Sequence, residues 1–573
     1  MTCKIGKNIE SRNRSFVPAD ADLGDPDVIE GLYDRLSEMD PKSSSDLEAW
    51  LLDWSELEAA IHQEEAIRYI RMTCQTDDEE REKAFLHFVE NVSPRMKARQ
   101  HELAVKFLDS PGLEELDRER YEVLIRDLKS EVELFREENI PLQTEQERLS
   151  QRYQKITGAM TVEFDGKEQT LQQMARYLEL AERETREAAW KAIVERRLED
   201  RQKLDELFDE MREVRAKIAK NAGFGNFRDY AMKSRKRFDY GVAECEEFHK
   251  AVEEAAVPLY REFQEDRKKR MGLDTLRPWD LGPDPEGRPP LKPFEKADEL
   301  VKGCKQIFNK LDPVLGERFN YLIEHDLLDL ESRKGKAPGA YSHSLEEARR
   351  PFIFSNSVGL DRDVNTLLHE AGHAFHTLEA ADEDLVFYRH APMEFAEVAS
   401  MSMEFLGSDH LDVFYSSDQD LLRSREDHLR QVAMLFCWIA TVDAFQHWIY
   451  TNPGHNADDR ADKWIELRQR FGGIEDYSGF EEARRFEWHR QLHIFEVPFY
   501  YIEYGIAELG ALQIWVRSRN EGRAALDDYR KALSLGGSKP LPQLFEAAGI
   551  KFDMKRETLE PLLDEIRSVL SKS

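Results

Sequence analysis

Apolar residues recur at three- and four-residue steps along most of the chain, a period that predicts amphipathic helices. The stretch "DLEAWLLDWSELEAAIHQEEAIRYIRM" keeps this spacing without a turn residue, inside a region, 20–150, that reads as helical and heavily charged. From Thr170 to Ala222 the helical pattern is nearly continuous. Within it Leu204, Leu207, Met211, Val214 and Ile218 make one apolar stripe, which Gly223 and Gly225 end. The stripe lasts only a few heptads, so it is expected to pack inside the fold rather than to form an intermolecular coiled coil.

Three places break the helical period. "VEFDGKEQTL", Val162 to Leu171, reads as a hairpin turning at Asp165-Gly166 and leading into a helix. "LRPWDLGPDPEGRPPLKPF", Leu276 to Phe294, is too rich in Pro and Gly for a helix or a central strand, and reads as a long surface loop between helical blocks. "GAYSHS" and "PFIFSNS" read as short strands. The expected fold is therefore mainly α, with a small β element at about 335–356. The expected division is 1–150 (N-terminal helical region), 151–275 (helical linking region) and 276–573 (catalytic lobe).

At 573 residues, two or more lobes are expected. A formal net charge of -32 argues against nucleic acid as a partner. The five cysteines, Cys3, Cys74, Cys245, Cys304 and Cys437, are scattered and contain no CxxC pair, so neither a disulfide framework nor a thiolate zinc site is indicated. The N-terminus lacks the apolar core of a signal peptide, and no run reads as a membrane span. The expectation is a cytoplasmic protein without membrane association. The sequence is silent on oligomeric state.

The chemistry concentrates in "NTLLHEAGHAFH", Asn365 to His376. On a helix, residues four apart lie about 40° apart in azimuth, so His369 and His373 present their imidazoles to one point, with Glu370 beside them. This is the physical content of an HExxH zinc site. Asp363 or Asn365 is the expected N-cap. Val364, Leu367, Leu368, Ala371, Ala374 and Phe375 make the helix largely buried, so its polar groups need partners. A third histidine ligand after a glycine turn is disfavoured, because His376 and Glu379 stand where that turn would be. "PMEFAEVASMSMEF" offers Glu394, Glu397 and Glu404 on a second helix opened by Pro392. Glu397 has the small and apolar neighbours of a carboxylate that meets a cation, and is the expected third ligand. Glu394 is the expected acceptor for a ligand imidazole, and His376 and His390 are expected to pack or support.

"HEAGHAFH", with the glutamate of "FAEVAS" 28 residues after His369, resembles the thimet oligopeptidase / oligoendopeptidase F family of zinc metallopeptidases, most closely its oligoendopeptidase F branch. "GKAPGAYS", "PFIFSN", "AKIAKNAGFGNFRDYA", "LRPWDL" and "HIFEVPFYYIEYGIAELGA" extend the likeness from about residue 150 to the end. Before that, the match is only in helical, acidic character.

The resemblance implies a two-lobed helical shell around a deep channel, one zinc ion per chain, and short peptides as substrates. It implies His369, His373 and Glu397 as ligands and Glu370 as general base. It places His493 and a tyrosine on the substrate carbonyl: Tyr504 first, then Tyr501, then Tyr500. Gly339, Ala340 and Tyr341 are candidates for an edge strand that pairs with an extended peptide. The function expected is that of a zinc metalloendopeptidase. The rival readings are a zinc carboxypeptidase or dipeptidyl carboxypeptidase on a related shell and, more distantly, a non-catalytic peptide-binding protein.

Overall fold

The computed structural model describes residues 14–572. Cys3 and most of the N-terminal stretch read for a signal peptide lie outside them. Helices carry the fold, as the three- and four-residue period predicts. The chain forms two compact units, each gathered from three stretches: Met1–Glu133, Lys292–Arg423 and Ile506–Phe552 in the first, Leu134–Leu291, Ser424–Gly505 and Asp553–Ser573 in the second. Packing between segments remote in sequence defines these units, whereas the linear reading cut the chain at 150/151 and 275/276.

Two small sheets interrupt the helices. Strands β1 (Thr161–Phe164) and β2 (Lys167–Thr170) form the expected hairpin, and both turn residues are left-handed, Asp165 at φ 54° and Gly166 at φ 69°. The second sheet has β3 (Leu328–Glu331), β4 (Tyr341–Leu345) and β5 (Arg350–Ser357) in the order β3-β5-β4. β4 and β5 are the strands expected from the sequence. β3, parallel to β5, was not expected, since four residues with one charged end carry too little pattern.

In the first unit the helix Ser44–Cys74 buries Trp50 and Trp54. Trp54, Tyr33 and Gln100 all donate to the buried Glu58 carboxylate, at 2.8, 2.8 and 2.7 Å, which removes the cost of burying it. The C-terminal end of the same helix supports β4. The Thr73 and Tyr341 hydroxyls lie 2.6 Å apart, and the Ala337 N–H donates to the Thr73 carbonyl at 2.8 Å.

In the second unit the apolar stripe is buried along the helix Arg201–Asn221, which ends at Gly223 (φ 88°). The expected continuity from Thr170 to Ala222 fails at Leu180–Glu182 and at Asp200. Asp200 there accepts from Arg196 at 2.7 Å and Lys203 at 2.6 Å, linking the two helices across the break. The helix Asp418–Thr451 lies mostly in this unit. Among the described residues it is the one helix long and apolar enough to cross a membrane, which corrects the expectation that no run qualifies. Its most apolar window is 72% buried inside the protein, as in a core helix.

Candidate active site

The helix Asp361–Glu379 carries His369, Glu370 and His373. Its start is not capped by Asp363 or Asn365 in the expected way. Asp363 lies in the first turn and reaches back, its carboxylate accepting the N–H groups of Val358, Gly359 and Leu360 at 2.7, 2.9 and 3.0 Å. This satisfies the N–H groups of the loop that leads into the helix. Behind Pro392, the helix Met393–Ser408 carries Glu397 and Glu404. The two helices run antiparallel in tight contact: Gly372 abuts Ala399 and Ser400, and Gly407 abuts Leu368.

This contact brings the three expected ligands together. Glu397 Oε2 lies 3.4 Å from His369 Nε2 and 3.6 Å from His373 Nε2. Ser400 Oγ donates to the same carboxylate oxygen at 2.9 Å. One donor atom from each of His369, His373 and Glu397 falls within 4.8 Å of the others. Two imidazoles and a carboxylate form a donor set that suits zinc.

Behind His369 the acceptor is Glu404. Glu404 Oε1 lies 2.7 Å from His369 Nδ1, which leaves Nε2 directed to the ligand side. Glu404 stands two turns beyond Glu397 on nearly the same helical face, while His369 lies one turn before His373 on the antiparallel partner. Glu394 is buried in the first turn, three residues ahead of Glu397. The sequence could have ranked Glu404 first by its seven-residue spacing from Glu397.

Burial and mutual charge shift the titration of all four groups, His369, Glu370, His373 and Glu397. Burial works against a charged ring at His369, yet hydrogen bonding to Glu397 and Glu404 and their charges lift it well above the usual imidazole value. Burial holds His373 down to about 4. Glu397 falls to about 2: burial opposes this, and His369 and His373 outweigh it. Glu370, 7% exposed, is pushed up to about 7 by burial, with Glu397 and Glu404 adding repulsion and His369 opposing. A backbone hydrogen bond from Ser342 in β4 holds the Glu370 carboxylate.

The proposed peptide-pairing stretch is only partly strand. β4 begins at Tyr341, and Gly339 (φ 97°) and Ala340 lie in the loop before it, where the Gly339 carbonyl accepts from Asn356 at 3.0 Å. The Tyr341 ring stacks on Phe354 at 4.7 Å. β4 is an edge strand, with β5 as its one strand partner.

His376 is not among the converging donor groups. It is buried near Phe395, its Nε2 has no hydrogen-bond partner among the described residues, and burial holds its pKa down to about 3. His390 pairs with Glu346 at 2.6 Å.

The second unit contains the aromatic group built around His493. Its ring lies 4.8 Å from Tyr501, 5.9 Å from Tyr500 and 6.1 Å from Tyr504, centroid to centroid. The helix begins at Tyr501, so Tyr500 precedes it. Phe499 is left-handed (φ 65°), costly for a bulky side chain, and is held by its N–H to Gln446 at 2.7 Å and by Arg237 on its carbonyl.

Two residues missed in the sequence set the state of His493. The Trp438 indole N–H donates to Gln491 Oε1 at 3.0 Å, so the Gln491 amide nitrogen is the end that meets His493 Nδ1, at 2.7 Å. Nδ1 must then accept, and the proton sits on Nε2. Burial, aided by the charge of Arg235, lowers His493 to about 4 and keeps it neutral near pH 7. Tyr501 has hydrogen-bonding contact with Trp438 and Gln491, which ties it to this relay.

A model of Peptidase family M3 matches residues 176–562, and one of the Peptidase M3 N-terminal domain matches 29–135. The chain belongs to peptidase family M3. The likeness thus begins well before residue 150, contrary to the sequence reading of that region. An oligoendopeptidase F homolog of Borreliella burgdorferi is 25% identical over 301 residues, 50% of this chain and 49% of its own length. Oligopeptidase PepF of Bacillus subtilis is 25% identical over 340 residues, 54% of this chain and 48% of its own. These matches span about half the length of the curated relatives. Among solved structures, PZ peptidase A with an inhibitor is 28% identical, with a TM-score of 0.88 over 98% of this M3 chain and 99% of its own. Oligoendopeptidase F of Enterococcus faecium, 15% identical with a TM-score of 0.61 over 96% of this chain and 97% of its own, shares the fold.

Proposed function

We propose that this protein is a zinc metalloendopeptidase that hydrolyses internal bonds of short oligopeptides. The observation that carries the reading is the convergence of His369, His373 and Glu397 with a buried carboxyl, Glu370, beside the first of them. His369, His373 and Glu397 would hold zinc, which when bound supplies Lewis acidity that polarises a carbonyl and acidifies water. Glu370 takes the proton of the attacking water and returns it to the leaving amine. Ser342 keeps the Glu370 carboxylate turned toward the ligands. His493, fixed as an Nε2–H donor, and Tyr504 donate to the oxygen on which negative charge develops. Tyr501, tied to Gln491 and Trp438, positions His493. The start of β4 pairs with the extended substrate.

We further propose a cytoplasmic location, supported by the four described cysteines, which are buried thiols outside any disulfide. The test is digestion of a peptide masked at both ends, which a carboxypeptidase cannot use. Internal cleavage that a chelator stops and zinc restores is expected. Glu370→Gln should keep its zinc and lose about 10²–10⁴ in turnover. Cleavage that persists after metal removal, or a fully active Glu370→Gln protein, overturns the proposal.

A further inference from the structure

The second unit has a cluster that the chemistry above does not use. The helix Val242–Ala251 carries Cys245 and His249, four residues apart on one face, and the helix Asp418–Thr451 carries Asp443 and His447 with the same spacing. All four side chains are buried, Cys245 and Asp443 completely. One donor atom from each of Cys245, Asp443 and His447 lies within 4.8 Å of the others.

The internal hydrogen bonding of this cluster is incomplete. His249 Nε2 meets Asp443 Oδ2 at 2.8 Å. His447 Nε2 lies 3.3 Å from the same oxygen. Asp443 Oδ1 and His447 Nδ1 have no hydrogen-bond partner among the described residues. The surroundings are apolar, with Phe248 packed on Gly505 and Phe499 edge-on to the His447 ring at 5.4 Å. Leaving such groups unpaired in a dry interior is costly. A plain His249–Asp443 pair satisfies one carboxylate oxygen and leaves the rest.

We propose that Cys245, Asp443 and His447 form a second, structural metal site for a borderline divalent ion, zinc first, with His249 orienting the Asp443 carboxylate. A thiolate and a carboxylate neutralise a dication, so the filled cluster carries no net buried charge. Sulfur and imidazole donors disfavour magnesium and calcium. Cys245 and Asp443 are both buried groups whose charge a cation would balance. The nearby Arg237 does not fill that role, because its guanidinium is held by Glu503 at 2.8 Å and by the Phe499 carbonyl. The ion would tie the two helices together next to Gln446, the residue that holds Phe499 in its left-handed conformation. The expected one zinc per chain counts the catalytic centre alone, and this site makes two.

The test exploits the sulfur, which the catalytic set lacks. The full chain is produced in cobalt-supplemented medium, so that a buried site fills during folding, and is examined by absorption spectroscopy and metal analysis. Expected are a near-ultraviolet thiolate-to-cobalt charge-transfer band and two cobalt ions per chain. Glu397→Ala should keep the band and lose one ion, whereas Cys245→Ser should lose the band and one ion. Wild-type protein with cobalt but no thiolate band overturns the proposal, and so does a band that survives Cys245→Ser. If Cys245→Ser does not fold, the wild-type spectrum and the Glu397→Ala metal count decide.

Discussion

Gly372 lies so close to Ala399 that a Cβ on the glycine would stand 2.5 Å from the alanine carbonyl oxygen and 2.6 Å from Ser400 Cα. The contact is backbone to side-chain position, so no rotamer change relieves it. It sets the separation of the two helices, and hence the reach of Glu397 to both imidazoles. Gly372→Ala is expected to destabilise the protein by about 1–3 kcal/mol through overpacking. It should also lower zinc content, because Glu397 is carried away from His369 and His373. Thermal unfolding and metal analysis of the purified variant check both, and normal zinc content would contradict the role given to this contact.

Glu404 fixes the His369 ring through Nδ1. Glu404→Ala is expected to weaken zinc binding by about 10–100-fold, the usual effect of removing a ligand's supporting acceptor. Glu394→Ala should weaken it less. Competition with a chromogenic chelator measures both, and equal losses would remove the distinction.

Gln491 determines which nitrogen of His493 holds the proton. Gln491→Leu leaves Nδ1 without its donor and releases the tautomer. Turnover should fall by less than the about 10²–10³ expected for losing the whole donor in His493→Ala. KM should change little in Gln491→Leu, since the ring itself remains. A large rise in KM at unchanged kcat would indicate a substrate-binding role instead.

His376 is buried and neutral, with its pKa lowered to about 3 against 6.5 in the unfolded chain. Above the unfolded value neither state binds the proton, and the neutral packing is fully retained. As pH falls from about 6.5, the unfolded chain takes up a proton that the folded chain refuses, so stability drops. In chelator-treated protein, His376→Phe should show a smaller fall in unfolding midpoint between about pH 6.5 and pH 4 than the unsubstituted chain. Parallel curves for the two proteins would show that His376 does not contribute.

Local pattern was enough for much of this protein. The helical period, the Asp165-Gly166 hairpin, β4 and β5, and the pair His369–His373 with Glu370 all depend on residues within a few positions of one another. Backbone conformation and side-chain spacing act over that range, so one-dimensional order carries them. Glu397 was legible as well, because apolar neighbours isolate it on its own helix. Other features required the folded chain. Glu404 supports His369 because two helices cross antiparallel at Gly372, and nothing local states that crossing. Trp438 and Gln491, 53 residues apart, decide the proton position on His493. Cys245 and Asp443 meet across nearly 200 residues of sequence. Such relationships depend on which surfaces pack, and packing is set by the whole apolar interior at once rather than by any segment alone.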